Sequence, residues 1–316
     1  MNPKIKVVSI IGPTASGKTK LSVELAKHFD GEIISADSMQ IYQGMQIATA
    51  KPTDEEKCGI PHYLMDFLPV QSTYSVASFV SDAKQCIADI SARGKLPFIV
   101  GGTGLYVDSL LNNIKFSDEK RDEALSCQLW KIYEDQGIDT LLAMLSEFDI
   151  VAAERLRQEK NPKRIIRAIE FYKTTGKTIT EQINASRSEE SPYEAIKIGL
   201  NFRDREKLYE RINLRVDLML RQGLLEEARQ VLENPLSFTA VKAIGYKELA
   251  PYLIGTSPFE ECIEKLKRET RRYAKRQITW FKRDQNINWL YADEYHSFEE
   301  LLNAAISITN KGLLNG

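Results

Sequence analysis

The sequence has only four cysteines, Cys58, Cys86, Cys127 and Cys262, and no two of them form a CxxC pair. Spacing this wide argues against a structural zinc site and against a disulfide framework. We therefore interpret all four as reduced structural thiols of a cytosolic protein.

Long apolar runs and an excess of charge are also missing. No stretch approaches membrane-spanning length, and residues 1–14 lead into a strand and a glycine turn rather than into a signal peptide. We expect a cytoplasmic protein without a membrane partner. The net charge is only −1, so any binding of nucleic acid must depend on a local basic surface.

Strands and helices alternate over short loops in the first hundred residues. This rhythm predicts an α/β fold with a doubly wound parallel sheet and helices on both faces. The predicted strands cover residues 5–11, 32–36 and 96–100, and the predicted helices cover residues 17–28 and 76–93.

Residues 113–192 contain no convincing strand, and their apolar stripes indicate packed helices. We expect a helical insertion domain at 113–192 in a P-loop catalytic core made of residues 1–112 and 193–316. A strand pattern returns at 196–202. The region after it is predicted to be mostly helical, at 205–222, 224–232, 240–249 and 258–282.

One motif identifies a phosphate-binding loop. The eight residues that match GxxxxGK[ST] are Gly12, Pro13, Thr14, Ala15, Ser16, Gly17, Lys18 and Thr19. The glycines let backbone N–H groups turn toward anionic oxygens at the N-terminus of a helix. Lys18 is a cation for the terminal phosphates and Thr19 offers a hydroxyl to Mg²⁺. The motif predicts phosphate binding, of a nucleotide such as ATP or of a diphosphate, but does not select between them.

Two further loops follow predicted strands and should open into the same crevice. Asp37 follows the second strand and is a water-mediated Mg²⁺ ligand, a proton acceptor or a helix cap. Thr103 follows the third strand and either caps a helix or hydrogen-bonds the reacting centre.

Basic side chains are concentrated in two segments. Residues 265–283 hold nine lysines and arginines with Tyr273, Trp280 and Phe281 between them, and a second cluster contains Lys163, Arg164, Arg167 and Lys173. Such segments are either solvated helix faces or surfaces that follow RNA phosphates, with aromatics available for stacking. Arg215 is either a surface arginine or a second phosphate clamp.

A set of motifs in this order resembles the bacterial tRNA dimethylallyltransferase family over residues 10–283. The motifs are GPTASGKT, SADSMQIY, ATAKPT, GGTGLY, NPKRIIRAIE, INLRVDLML, AVKAIGYKE and TRRYAKRQITWFKRD. Two positions depart from the usual pattern: Ala48, where the family commonly has Gly, and Tyr63, where it often has His.

The resemblance implies transfer of a dimethylallyl group from dimethylallyl diphosphate to N6 of the adenosine 3′ of the tRNA anticodon. It implies a general base at Asp37, an orienting hydroxyl at Thr103, diphosphate neutralisation by Lys18 and Arg215, and Mg²⁺ near Thr19. It implies base flipping of the target adenosine. The residues implied in tRNA binding are Asp37, Ser38, Met39, Gln40, Thr103, Lys163, Arg164, Ile165, Ile166, Arg167, Lys242, Arg271, Arg272 and Arg276.

Three rival functions share parts of these patterns. A small-molecule P-loop kinase or a transferase acting on free AMP or ADP would need no extended basic surface. An RNA-binding switch protein would leave Asp37 and Thr103 without a purpose. Nothing in the sequence predicts an obligate interface, so we expect a monomer.

Overall fold

A six-stranded parallel sheet organises the core of the protein. The structure is a computed structural model that describes residues 4–114, 122–187, 190–233, 240 and 243–314. The strands are β1 (Ile5–Ile11), β2 (Gly31–Ser35), β3 (His62–Tyr63), β4 (Leu96–Gly101), β5 (Tyr193–Asn201) and β6 (Asn288–Tyr291). They pair in the order β3-β2-β4-β1-β5-β6, with every described pair parallel.

Fourteen described helices accompany the sheet, together with a 3-10 turn at Ala292–Glu294. They are α1 (Lys18–His28), α2 (Asp54–Lys57), α3 (Val76–Ala92), α4 (Gly104–Leu111), α5 (Glu123–Gln136), α6 (Ile138–Ser146), α7 (Ile150–Glu159), α8 (Pro162–Thr175), α9 (Ile179–Arg187), α10 (Arg205–Arg221), α11 (Leu224–Leu232), α12 (Tyr246–Leu253), α13 (Phe259–Phe281) and α14 (Phe298–Leu314). None of the described helices is long and apolar enough to cross a bilayer.

The sheet is buried on both faces, as its nearly continuous apolar strands require. Val8 and Ile10 of β1 belong to a cluster that includes residues of α1 and α14. Their neighbours Val7 and Ile11 are also buried but lie outside that cluster, because successive strand residues point to opposite faces. The sheet is therefore doubly wound, as the sequence predicted.

The chain divides into two compact units. One contains Met1–Leu111 and Ser191–Gly316, and the other contains Asn112–Glu190. The second unit holds α5 to α9 and has its own apolar core, which includes Leu141, Leu145 and Ile169. Among its described residues it has no strand.

Several elements differ from the sequence-based prediction. The helix predicted at 240–249 begins only at Tyr246, because Gly245 has φ +116° and a left-handed residue ends any helix before it. Parts of the predicted span, residues 241–242, lie outside the described residues. Strands β3 and β6 were not predicted, since two and four residues are too short to show a period. Helix α14 was not predicted either.

Candidate active site

The loops that follow β1 and β2, together with the end of β4, line one cleft at the carboxyl edge of the sheet. The cleft has a volume of about 280 Å³ and also receives side chains of α10 and α13. Among the described residues, four cationic side chains line it, Lys18, Arg215, Lys247 and Arg276, against the one carboxylate of Asp37. This charge balance suits an anionic ligand.

The phosphate loop has the backbone that its glycines predict. Gly12 has φ +148°, and a Cβ atom at this position would lie 2.1 Å from the carbonyl oxygen of Leu200. Ala15 has φ +62°, and Gly17, the residue before α1, has φ +98°. The loop therefore winds tightly into the N-terminus of α1, which directs backbone N–H groups and the positive end of the helix dipole toward the cleft.

Lys18 and Arg215 stand together in this cleft. The Lys18 ammonium donates to the carbonyl oxygen of Pro13 at 2.7 Å, and the Arg215 guanidinium donates to the Thr14 hydroxyl at 3.5 Å. Burial, assisted by the nearby Arg215 charge, lowers the pKa of Lys18 to about 8. Burial also lowers the pKa of Arg215. Two desolvated cations side by side are costly without an anion between them.

Asp37 lies in the same cleft. Its Oδ1 accepts a hydrogen bond from the backbone N–H of Met39 at 2.9 Å. Burial raises the pKa of Asp37, while the Met39 amide and the Lys18 ammonium act in the opposite direction. A raised pKa makes the carboxylate a stronger base. The hydrogen bond to Met39 is a turn contact as well, so capping and proton transfer are compatible roles here.

Thr103 is hydrogen-bonded to the segment that carries Asp37. Its Oγ1 accepts from the backbone N–H of Ser38 at 3.0 Å and donates to the Ser38 hydroxyl at 3.4 Å. It also lies near Tyr273 of α13, whose ring lines the cleft. Burial raises the pKa of Tyr273, and the charge of Asp37 adds to that effect. Tyr273 therefore faces the cleft and is not a surface aromatic.

Gln277 is a site residue that the sequence did not single out. This buried side chain of α13 accepts from the N–H of Thr14 at 2.9 Å and donates to the carbonyl oxygen of Gly102 at 3.0 Å. A Cβ atom at Gly102 would lie 2.0 Å from its amide nitrogen, so glycine is needed there to admit it. Gln277 thus joins the phosphate loop to the loop that carries Thr103. Only its position one turn after Tyr273 could have indicated this.

The three residues after Asp37 lie along the cleft wall. Ser38 and Met39 line it, with Ser38 held by Thr103 as described. The Gln40 amide is occupied inside the protein, because it donates to the carbonyl oxygens of Thr49 and Ala50 and accepts from the Ser35 hydroxyl at 3.0 Å. Gln40 therefore organises the wall of the cleft.

The basic residues of α13 lie on two sides of the helix. Arg272 is exposed and paired with Glu269 at 2.7 Å, and Arg276 is exposed at the cleft. Arg271 is half-buried and donates to the Asn213 side chain at 2.6 Å. Trp280 packs over Gly104 and donates to Asp108 at 2.6 Å, and Phe281 is buried. Phe281 belongs to the core and cannot stack on an RNA base, whereas Trp280 is half-buried and held by these contacts.

The basic cluster of α8 needs one correction. Lys163, Arg164 and Arg167 are exposed, but the side chains of Ile165 and Ile166 are fully buried in the apolar core of the helical unit. Neither isoleucine side chain is therefore accessible to an RNA. Helical periodicity explains this, because it turns the two isoleucines toward the core and the basic residues on either side of them toward solvent. Lys242 lies outside the described residues.

The fold and this cleft define an α/β protein of the P-loop class with a cationic site for a phosphate compound. The family model for IPP transferases matches residues 40–284. The chain is 48% identical over 300 residues to the tRNA dimethylallyltransferase of Thermoanaerobacter sp. (strain X514). The matched residues cover 94% of this chain and 95% of that protein. The chain belongs to the IPP transferase family.

Solved structures support the same assignment. The full-length tRNA isopentenylpyrophosphate transferase from Bacillus halodurans superposes with a TM-score of 0.72 at 42% identity, over 98% of both chains. A eukaryotic dimethylallyltransferase, solved in the course of acting on tRNA, superposes with a TM-score of 0.80 at 30% identity. It covers 98% of this chain and 80% of the other.

Proposed function

We propose that this protein transfers a dimethylallyl group from dimethylallyl diphosphate to N6 of the adenosine 3′ of the anticodon in tRNA, releasing diphosphate. The observation that carries the proposal is the shared cleft. In this member of the family, one cavity joins a phosphate loop, two desolvated cations and a single buried carboxylate.

On the donor side, the proposed reaction breaks the bond between C1 of the dimethylallyl group and the diphosphate oxygen. Negative charge grows on the diphosphate as it leaves, so cations aimed at it stabilise the transition state more than the ground state. Lys18 and Arg215 supply that charge beside the backbone N–H groups of the phosphate loop. The Thr14 and Thr19 hydroxyls line the same end of the cleft.

On the acceptor side, the N6 lone pair of adenine is delocalised into the ring and attacks poorly on its own. As the N6–C1 bond forms, the nitrogen loses a proton, and the Asp37 carboxylate is the base that accepts it. Thr103 holds the Asp37 segment through its hydrogen bond with Ser38, and the ring of Tyr273 lines the same cleft. Ser38 and Met39 would contact the flipped adenosine, since both line the cleft next to Asp37.

We propose Mg²⁺ as a cation that arrives with the diphosphate. The described residues contain no group of three or more acidic, histidine or cysteine side chains that could cage a metal. Mg²⁺ commonly uses one or two protein ligands together with substrate phosphates and water. The Thr19 hydroxyl in the cleft fits such a ligand. When bound, the ion would neutralise part of the diphosphate charge.

The tRNA backbone would be held by exposed cations of both units. Lys163, Arg164 and Arg167 on α8 give the helical insertion domain a contact surface, and Arg272 and Arg276 do so on α13. Lys242 and Arg271 complete the proposed set. A monomeric state and a cytoplasmic location stay predictions of the sequence.

The test is transfer of labelled dimethylallyl group, with Mg²⁺, to unmodified tRNA and to AMP in parallel, with ATP hydrolysis followed alongside. Label entering tRNA alone is expected. Asp37→Asn should lower kcat by about 100- to 10,000-fold, because it removes a general base. The exposed Asp89→Asn on α3 is the matched control and should have no effect. Near-wild-type turnover by Asp37→Asn would remove the base role, and ATP turnover without transfer would overturn the function.

A further inference from the structure

The carboxylate of Glu227, on α11, is bonded to a loop in the first fifty residues of the chain. Its Oε2 accepts from the backbone N–H groups of Gln46 at 2.9 Å and Ile47 at 2.6 Å. Its Oε1 accepts from the N–H of Ala48 at 2.9 Å and from the Tyr246 hydroxyl at 2.8 Å. A carboxylate has about four lone-pair sites, so this side chain is saturated by these contacts.

The bonded loop forms part of the cleft. Ala48, Thr49 and Ala50 line the cavity that also contains Asp37. The carbonyl oxygens of Thr49 and Ala50 accept from the Gln40 amide at 3.2 and 3.3 Å, three residues after Asp37. A continuous chain of hydrogen bonds therefore runs from Glu227 through loop 46–50 to the Asp37 segment.

The same loop is supported from its other side by a close backbone approach. Gly245 has φ +116°, and a Cβ atom there would lie 3.2 Å from the Cβ atom of Ala48. Tyr246, the next residue, is fully buried and donates the fourth hydrogen bond to Glu227. Loop 46–50 is thus fixed by α11 and the start of α12, and the phosphate loop takes no part in these contacts.

The neighbouring residue distinguishes this role from an ordinary helix end. Glu226 and Glu227 both lie in the first turn of α11, where acidic side chains favourably face the positive end of the helix dipole. Glu226 is exposed and pairs with Arg229 of the same helix at 4.0 Å. Of the two, Glu227 alone contacts the loop. Comparison of the two glutamates therefore separates the loop contacts from the effect of the helix dipole.

We infer that Glu227 is a positioning residue for the acceptor: by holding loop 46–50, its carboxylate fixes the Asp37-side wall of the cleft. The inference rests on the proposed transfer to an RNA adenosine. Turnover of the acceptor depends on Glu227. Binding of the diphosphate donor depends on the phosphate loop and not on Glu227.

The test compares Glu227→Gln with Glu226→Gln. Glu227→Gln replaces one carboxylate oxygen, a hydrogen-bond acceptor, by an NH2 group. This donor would face the N–H and O–H donors that now bond to the carboxylate. Glu227→Gln should lower kcat/KM for tRNA by up to about 100-fold, as a displaced wall misplaces the acceptor. KM for dimethylallyl diphosphate should stay within about twofold of wild type. Amide hydrogen exchange at residues 46–48 should become about tenfold faster or more. Glu226→Gln should change none of these.

Three results would overturn the inference. Glu227→Gln could match Glu226→Gln in every measurement. Alternatively, its amides at residues 46–48 could exchange faster while its turnover stays unchanged. Finally, its kcat/KM for tRNA and its KM for dimethylallyl diphosphate could worsen equally, together with a lower Tm. That result would show a purely structural effect. If Glu227→Gln does not fold, Glu227→Asp, which keeps the charge on a shorter side chain, takes its place in the same comparison. Wild-type protein that modifies AMP but no tRNA would overturn the proposed function instead, and the comparison would then use AMP.

Discussion

Helices α8 and α13 look alike in sequence and differ in what their inner faces do. Both present basic side chains to solvent. The inner face of α8 is apolar, with Ile165, Ile166 and Ile169 packed in the core of the helical unit. The inner face of α13 is polar at its centre, where Tyr273 and Gln277 reach the cleft.

This difference teaches that a basic amphipathic pattern says little about the hidden face of a helix. In α8 the hidden face only stabilises the unit that presents the cations. In α13 one rigid element carries exposed arginines on one side and contacts to two catalytic loops on the other. We therefore expect changes on the inner face of α13 to affect chemistry, and changes on either outer face to affect RNA affinity alone.

Among changes to these two helices, the largest effect is expected from Gln277→Leu, which keeps the side-chain size but removes both hydrogen bonds. The Thr14 N–H and the Gly102 carbonyl would lose their partner, at a cost of about 1–3 kcal/mol each where buried. The two loops would no longer share a fixed spacing, and a shift of about 1 Å in a reacting group lowers the rate by roughly 100-fold. We expect kcat to fall by about that factor in the transfer assay.

Gln85→Leu, the same substitution on the exposed face of α3, is the control and should leave kcat unchanged. Thermal unfolding separates loop spacing from general damage. A Gln277→Leu protein with wild-type kcat would break the comparison, because the inner face of α13 would then be as passive as that of α8.

A smaller effect is expected from pH. The pKa of Lys18 is lowered to about 8, so the ammonium is charged below that pH and loses its proton above it. In the proposed reaction the charged form binds the diphosphate, so kcat/KM for dimethylallyl diphosphate should fall about tenfold per pH unit above that value.

Lys18→Arg sharpens this test, since an arginine stays protonated throughout the range in which the enzyme can be assayed. Whatever activity the variant retains should lack the falling limb near pH 8, and Lys163→Arg should keep it. An unchanged limb in Lys18→Arg would assign the titration to another group.

The smallest effect is expected on the two outer faces. Arg272→Ala on α13 and Arg164→Ala on α8 each remove an exposed cation that pairs with a glutamate of its own segment, an ion pair worth about 0–1 kcal/mol. Each should weaken tRNA binding and reduce the slope of log K against log salt by about one, with kcat at saturating tRNA unchanged.

Arg203→Ala serves as the control, because Arg203 is exposed and paired with Glu294 but belongs to neither basic segment. Its salt slope should equal that of the wild type. If Arg164→Ala also leaves the slope unchanged, α8 presents a solvated face rather than an RNA surface.

The sequence was sufficient for the class of fold and for the phosphate loop, because both are local. Alternating apolar runs predicted β1, β2 and β4, and the glycine spacing of Gly12 and Gly17 determines the loop backbone. Helical periodicity predicted the region between β4 and β5 as helices. The predicted domain boundaries were 112/113 and 192/193, and the compact units divide at 111/112 and 190/191.

The contacts across the chain could not be predicted. Gln277 meets Thr14, and Glu227 meets Gln46, across more than a hundred and fifty residues of sequence, and no local pattern marks either pair. The aromatic residues of α13 show the same limit. Spacing gives the face on which Trp280 lies, but the packing of its ring depends on Gly104, which leaves room for it.

The most direct measurement is to locate the transferred group. Unmodified tRNA would be incubated with labelled dimethylallyl diphosphate and Mg²⁺, digested to nucleosides and fragments, and the label mapped by mass. The account predicts label on N6 of the adenosine 3′ of the anticodon and none when that adenosine is replaced by guanosine. Label at any other nucleotide, or in AMP but not in tRNA, would contradict it.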